Sequence, residues 1–151
     1  FKIILFVVLV VAAAFLQGTN FNIAGVKPNL VLTLLLVLTF VISDFFVYAS
    51  LILLAVIILR FQPIWDWGLL ALTFFGVSAF FISRRLPWRE IINLLLMILF
   101  FTAGIYLFIS PRFIYSQPIN FIAELSYNLT LGLILFFILK DEKLFPTKFR
   151  F

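Results

Sequence analysis

"LVLTLLLVLTFVISDFFVYASLILLAVIIL", residues 30–59, decides how this chain is folded, because its thirty residues hold a single charge, Asp44. One helix of that length is about 45 Å long at roughly 1.5 Å per residue. A bilayer's hydrocarbon core is only about 30 Å thick, and a helix needs about 20 apolar residues to cross it. A carboxylate held midway along such a span is costly. Two short helices joined by a tight turn at Ser43-Asp44 remove both difficulties. Each borrows flanking residues, and Asp44 sits at the interface as the cap of the second, where it accepts from orphan N–H groups.

The rest of the composition names the medium. The chain has 151 residues, 66% hydrophobic and 11% charged, whereas soluble domains are nearer half apolar and a quarter charged. A fold of this size has too much surface for its volume to hide that much apolar area. Its 22 phenylalanines suit hydrocarbon, into which phenylalanine inserts favourably. The reading is an all-α integral membrane protein. The chain has no cysteine and no histidine, which excludes disulfides, thiol catalysis and histidine-based triads or relays, and the usual zinc, haem and iron–sulfur ligand sets. No metal or cofactor site is expected, and no catalytic constellation emerges.

Six spans follow, at about 3–17, 28–43, 45–60, 68–83, 91–110 and 120–139, in one polytopic domain. The chain begins at Phe1, so further residues are expected to precede it. "FKIILFVVLVVAAAF" has the lysine, apolar stretch and small residues of a signal peptide, but reads here as the first span. With the N-terminus inside, eight basic residues fall inside: Lys2, Arg84, Arg85, Arg89, Lys140, Lys143, Lys148 and Arg150. Three fall outside: Lys27, Arg60 and Arg112. Fusing the middle pair into five spans preserves the same ratio, so the positive-inside rule does not choose between five and six. Length and Asp44 choose six, with both termini cytoplasmic. Trp65, Trp67 and Trp88 fall in loops, where indole prefers the headgroup level. Pro28, Pro63, Pro87, Pro111 and Pro118 also lie between runs, where a missing N–H costs little. The net charge of +5 then reads as membrane orientation and contact with anionic lipid, with no nucleic-acid partner.

Few polar residues are candidates for a site. Glu90, Asp141 and Glu142 stand beside basic residues and read as solvated or paired surface charges. Asp66, between two tryptophans, reads as a turn or cap. Glu124 lies near the start of the last span, in "INFIAELSYNLTLGL", and Asn120, Glu124 and Asn128 share one helical face by their spacing of four. Three readings stand for that stripe: snorkelling to the outer interface, hydrogen bonding across a helix pair, or a ligand or ion site. The loop "RRLPWRE" places Arg84, Arg85 and Arg89 on the cytoplasmic side, for headgroups or for a partner. The tail "KDEKLFPTKFRF" reads as an interfacial segment.

The first loop is "LQGTNFNIAGVKPNLVLTLLLVL", residues 16–38. Pro28 suits a helix start, Asn29 can satisfy N–H groups there, and Lys27 lies at headgroup level. A first span ending in Leu16-Gln17, then Gly25, then Lys27-Pro28-Asn29-Leu30 opening a leucine-rich span, resembles the N-terminal third of the MreD family of rod-shape-determining membrane proteins. Six spans and a small basic tail also fit that family. The chain departs from it at Asn29, where the family has an aspartate, and in residues 41–61, which lack the family's glycines.

The resemblance implies a non-enzymatic scaffold of the bacterial cytoplasmic membrane that binds the transmembrane helix of an MreC-like bitopic protein. The pair would belong to the peptidoglycan elongation machinery, with a RodA-type polymerase and a transpeptidase. MreD proteins are also similar in architecture to the S-components of energy-coupling-factor transporters. That similarity implies the alternative, a small-molecule-binding transport subunit with an outward-facing pocket. Asn120, Glu124, Tyr127, Asn128 and Trp67 are its candidate lining residues.

Overall fold

The chain does break at Ser43-Asp44. In the computed structural model, which describes residues 2–19, 21–60 and 66–140, Asp44 caps a helix. Its Oδ1 accepts from the N–H of Phe46 at 2.7 Å and of Val47 at 3.2 Å. Residues 30–59 therefore form two helices, as length and charge required. Pro63, Trp65 and the tail beyond Lys140, including Asp141 and Glu142, lie outside the described residues.

Seven helices and no strand occur among the described residues: α1 Lys2–Gly18, α2 Leu30–Leu38, α3 Phe45–Leu59, α4 Trp67–Ser83, α5 Glu90–Ile109, α6 Pro111–Ser116 and α7 Pro118–Lys140. α5 and α7 are long and apolar enough to cross a membrane, while α1, α3 and α4 are shorter apolar helices of 15–17 residues. Asp66 caps α4, accepting from Gly68 N–H at 2.8 Å. Three boundaries differ from the sequence reading. α2 is shorter than the expected 28–43, because Phe40 and Val41 donate to the carbonyls three residues back and tighten the helix into a turn. Trp67 belongs to the first turn of α4 and not to a loop. The connection between the fifth and sixth runs contains the six-residue α6, opened by Pro111, where proline's fixed φ suits a first helical turn.

α2 is the axis of the fold. Its sequence, "LVLTLLLVL", has no polar face, and a helix that is apolar all round belongs in an interior. Every residue from Val31 to Thr39 is buried. α1, α3, α4, α5 and α7 follow one another in an arc around it, each packed on the next, and all touch α2. α1 and α7, at the ends of the arc, meet α2 but not each other. The outward faces are apolar as well: Phe46 is 78% exposed and Phe74 67%. Meanwhile Glu124, Asn128, Asn93, Thr33 and Thr102 are buried. Soluble proteins rarely expose apolar patches beyond a few hundred Å², so this apolar exterior around an apolar core agrees with a lipid surround.

Side-chain contacts sort the helix ends. At one end Arg84, which follows α4, donates through Nη2 to the carbonyls of Ile42 (3.2 Å) and Ser43 (2.8 Å) and lies 4.1 Å over the Phe80 ring. It thereby holds the chain that leaves α2. Lys140, ending α7, pairs with Glu90, opening α5. Half-exposed, that pair contributes at most about 1 kcal/mol, but it bears out Glu90 as a paired surface charge. In the interior, Tyr48 Oη donates towards the carbonyls of Gly76 (3.1 Å) and Leu35 (3.3 Å), tying α3 to α4 and α2. Gly132 lets α7 approach closely, since a Cβ there would lie 2.4 Å from Ile98 Cδ1 and 3.4 Å from Thr33 Cγ2.

Arg84 and Arg85 are therefore not equivalent. Arg84→Ala is expected to remove about 1 kcal/mol, a fall of about 2–4 °C in the unfolding midpoint in detergent. Arg85→Ala is expected to leave it within about 1 °C. Equal effects from the two would remove the anchoring role given to Arg84.

Candidate functional site at the start of the buried helix

The first four N–H groups of a helix have no partner within it. At a helix start near water this matters little, but α2 starts against three other helices. The chain reaches that point through a two-residue hairpin. Ile23 and Val26 exchange both backbone bonds, at 2.8 and 3.0 Å, and Ala24 and Gly25 between them have φ of 51° and 83°. Positive φ at both central positions is the type I′ geometry, and it explains the glycine at position 25.

At the start of α2 the N–H of Leu30 bonds the carbonyl of Pro28 at 3.1 Å, and the other three donors meet side-chain acceptors. Asn29 Oδ1 accepts from Leu32 N–H at 3.1 Å, so Asn29 is the cap. Gln17 Oε1, reaching from the last turn of α1, accepts from Val31 N–H at 2.8 Å. Asn128 Oδ1, from α7, accepts from the N–H of Asn29 itself at 3.0 Å. Asn128 Nδ2 donates to Thr102 Oγ1 of α5 at 3.4 Å, so the network runs from α1 through α2 and α7 to α5. Residues singled out separately in the sequence thus meet: Gln17 and Asn29 from either side of the first loop, and Asn128 from the polar face of the last span.

That face does not act as one unit. Glu124 and Asn128 are buried, with Glu124 only 3% exposed, and Glu124 Oε2 accepts from Tyr106 Oη of α5. Of the three readings, Glu124 follows hydrogen bonding across a helix pair and does not snorkel. Asn120 is exposed and donates through Nδ2 to Gln117 Oε1 at 2.9 Å, so it stands outside the site. Tyr106, stacked on Phe113 of α6 at 4.8 Å between ring centroids, has no signal in the sequence. A lone tyrosine in an apolar run carries no periodicity, and only the packing of α5 on α7 shows its role.

Beside this constellation a cavity of about 650 Å³ opens at the end of the bundle opposite Arg84. Gln17, Lys27, Asn29, Asp66, Tyr106 and Thr19, whose hydroxyl donates to the carbonyl of Leu16, supply its polar lining, and Phe15, Ile58, Leu72 and Ile105 are among its apolar walls. None of Asn120, Glu124, Tyr127, Asn128 and Trp67, the lining expected for an outward pocket, borders it. Glu124 and Asn128 stand one residue behind, bonded to Tyr106 and Asn29. Arg85 and Arg89 are exposed at the far end, and Arg84 there is occupied with backbone. Among the described residues no three of His, Cys, Asp and Glu come together as a metal site would require. What the arrangement offers is positioning and binding through amides, one ammonium and one carboxylate.

No protein-family model, curated protein or solved structure matches the chain.

Leaving a buried N–H without a partner costs about 1–3 kcal/mol. Gln17→Leu and Asn128→Leu are each expected to destabilise by that amount in detergent unfolding. The double variant should lose less than the sum, because a start already frayed by the first change has less left for the second to remove. Strict additivity would show that the two side chains support α2 independently.

Proposed function

We propose that the chain is a six-span, non-enzymatic scaffold of the bacterial cytoplasmic membrane, of the MreD type, with both termini cytoplasmic. In this reading it holds the transmembrane helix of an MreC-like partner within the peptidoglycan elongation machinery, alongside the cell-wall synthases. The observation that carries it is the convergence of Gln17 and Asn29 on the N–H groups that open α2. The residues on which the resemblance rests thus form a working structural unit and not a chance string of letters.

The shape of the molecule supports the same reading. α2 is too short to cross alone, but irregular backbone is tolerated at membrane depth where it is packed in protein or lines a cavity, as the half-buried chain at both ends of α2 does. Among the described residues Glu124, Asn128, Thr39 and Asn93 Nδ2 bond another side chain or the backbone, as helix-packing groups do, while Thr33 Oγ1 and Asn93 Oδ1 have no partner there. The outward faces are apolar and suited to lipid or to another helix. The S-component-like reading has one observation in its favour, the cavity of about 650 Å³, which is of the size that small-molecule sites have.

Two experiments test this. The chain has no native cysteine, so single cysteines report sidedness directly. Ser116→Cys is expected to react with an impermeant maleimide in intact cells, and Arg85→Cys only after permeabilisation. Gentle extraction from the native host should bring down a single-span MreC-like protein and cell-wall synthases, and Glu124→Gln should leave their recovery within about twofold. Copurification with a pair of ATPases and a coupling subunit would replace the scaffold with the transport reading.

A further inference from the structure

The capping of α2 has a chemical consequence for the cavity. A side-chain amide has one acceptor oxygen and one NH₂ donor group. The oxygens of Gln17 and Asn29 are committed to the N–H groups of Val31 and Leu32, and only oxygen can serve there. Their NH₂ groups are therefore what remains, and both residues line the cavity. Neither NH₂ has a hydrogen-bond partner among the described residues. The α2 start itself is satisfied and is not the site.

Two charges border the same space. Lys27 and Asp66 both line the cavity, yet they form no ion pair with one another. Among the described residues the ion pair is Lys140–Glu90, at the other end of the bundle. Asp66 uses Oδ1 to cap α4, and its Oδ2 has no partner among the described residues. The cavity thus has three donor groups, from Lys27, Gln17 and Asn29, a carboxylate oxygen at Asp66, and apolar walls from Phe15, Ile58, Leu72 and Ile105. A purely anionic ligand would satisfy the donors and meet Asp66 with repulsion. A purely cationic one would meet Lys27.

We propose that this cavity binds a zwitterion on an apolar body. Its phosphate or carboxylate accepts from Lys27, Gln17 and Asn29, its amine donates to Asp66, and its apolar part lies along Phe15, Ile58, Leu72 and Ile105. An aminophospholipid of the outer leaflet and a free amino-acid-like or phosphoamine solute share that chemistry. The proposal supplies a ligand class to the cavity that supports the transport reading, and it holds equally for a scaffold that seats a lipid. Recovery of partner proteins and binding of ligand are separate readouts, so the failure of one is distinguishable from the failure of the other.

The test uses the full chain, purified in a maltoside detergent and delipidated. Dioleoylphosphatidylethanolamine, dioleoylphosphatidylglycerol and free phosphoethanolamine are the probes, with native mass spectrometry and thermal unfolding as readouts. Lys27→Met removes a side chain that has no partner among the described residues. Asp66→Asn keeps a capping oxygen for Gly68. Both variants should therefore fold, which their unfolding midpoints without ligand check. The expected result is retention of phosphatidylethanolamine at least tenfold over phosphatidylglycerol, with either variant losing fivefold or more. Binding of phosphoethanolamine alone, equally sensitive to both variants, would support the same site with a soluble ligand. Equal retention of the two lipids, retention unchanged in both folded variants, or no retention of any probe by folded protein would overturn the proposal.

Discussion

The fold depends on how a helix can begin in the interior. α2 is apolar on every side and belongs at the centre of the bundle, but its first N–H groups are strong donors that the surrounding apolar side chains cannot satisfy. The protein brings acceptors from three directions to that one point: Gln17 from α1, Asn29 from the chain just before α2, and Asn128 from α7. Each is an uncharged amide, so the desolvation cost stays well below that of a buried charge. The same bonds fix α1 and α7, which do not touch each other, to the common axis.

Most other polar groups serve a comparable purpose. Arg84 takes up carbonyls where the chain leaves α2, Tyr48 bridges the carbonyls of Leu35 and Gly76, and Asn93 Nδ2 holds the carbonyls of Leu86 and Trp88 at 3.3 and 3.0 Å. Backbone groups at helix ends and close approaches thus receive side-chain partners, while apolar side chains cover the outside. In a soluble protein water would solvate the helix ends and the outward faces would be polar.

The two ends of the bundle differ in kind. The end with Arg84, Arg85, Arg89 and the Lys140–Glu90 pair is basic, as an end facing anionic headgroups would be. The other end is hollow, with Lys27 and Asp66 bordering the hollow and Tyr106 in its wall. Structure and opening are coupled there, since the amides that complete α2 also furnish the donors of the cavity. A substitution at Gln17 or Asn29 therefore alters the start of α2 and the lining of the cavity together, whereas Lys27 lines the cavity but lies outside the capping network.

Much of this was legible in the sequence. The apolar runs, the break at Ser43-Asp44 and the caps at Asn29, Asp44 and Asp66 follow from local rules: the length of a helix against a bilayer and the position of a short polar side chain before an apolar run. The partner of Glu90, by contrast, is the distant Lys140 and not one of its neighbouring arginines. The length of α2 was overestimated because the tight turn at Phe40 and Val41 leaves no mark in an apolar run. Periodicity placed Glu124 and Asn128 on one face but could not separate them from Asn120, since burial depends on where the neighbouring helix ends. That α2 is the axis, that Gln17 and Asn128 meet at its start, that Tyr106 holds Glu124, and that Lys27 and Asp66 share a cavity were decided only by tertiary structure. These are meetings of residues up to about a hundred positions apart, and they depend on which helix packs beside which. Six apolar helices of similar composition leave that order undetermined until their few polar groups find one another.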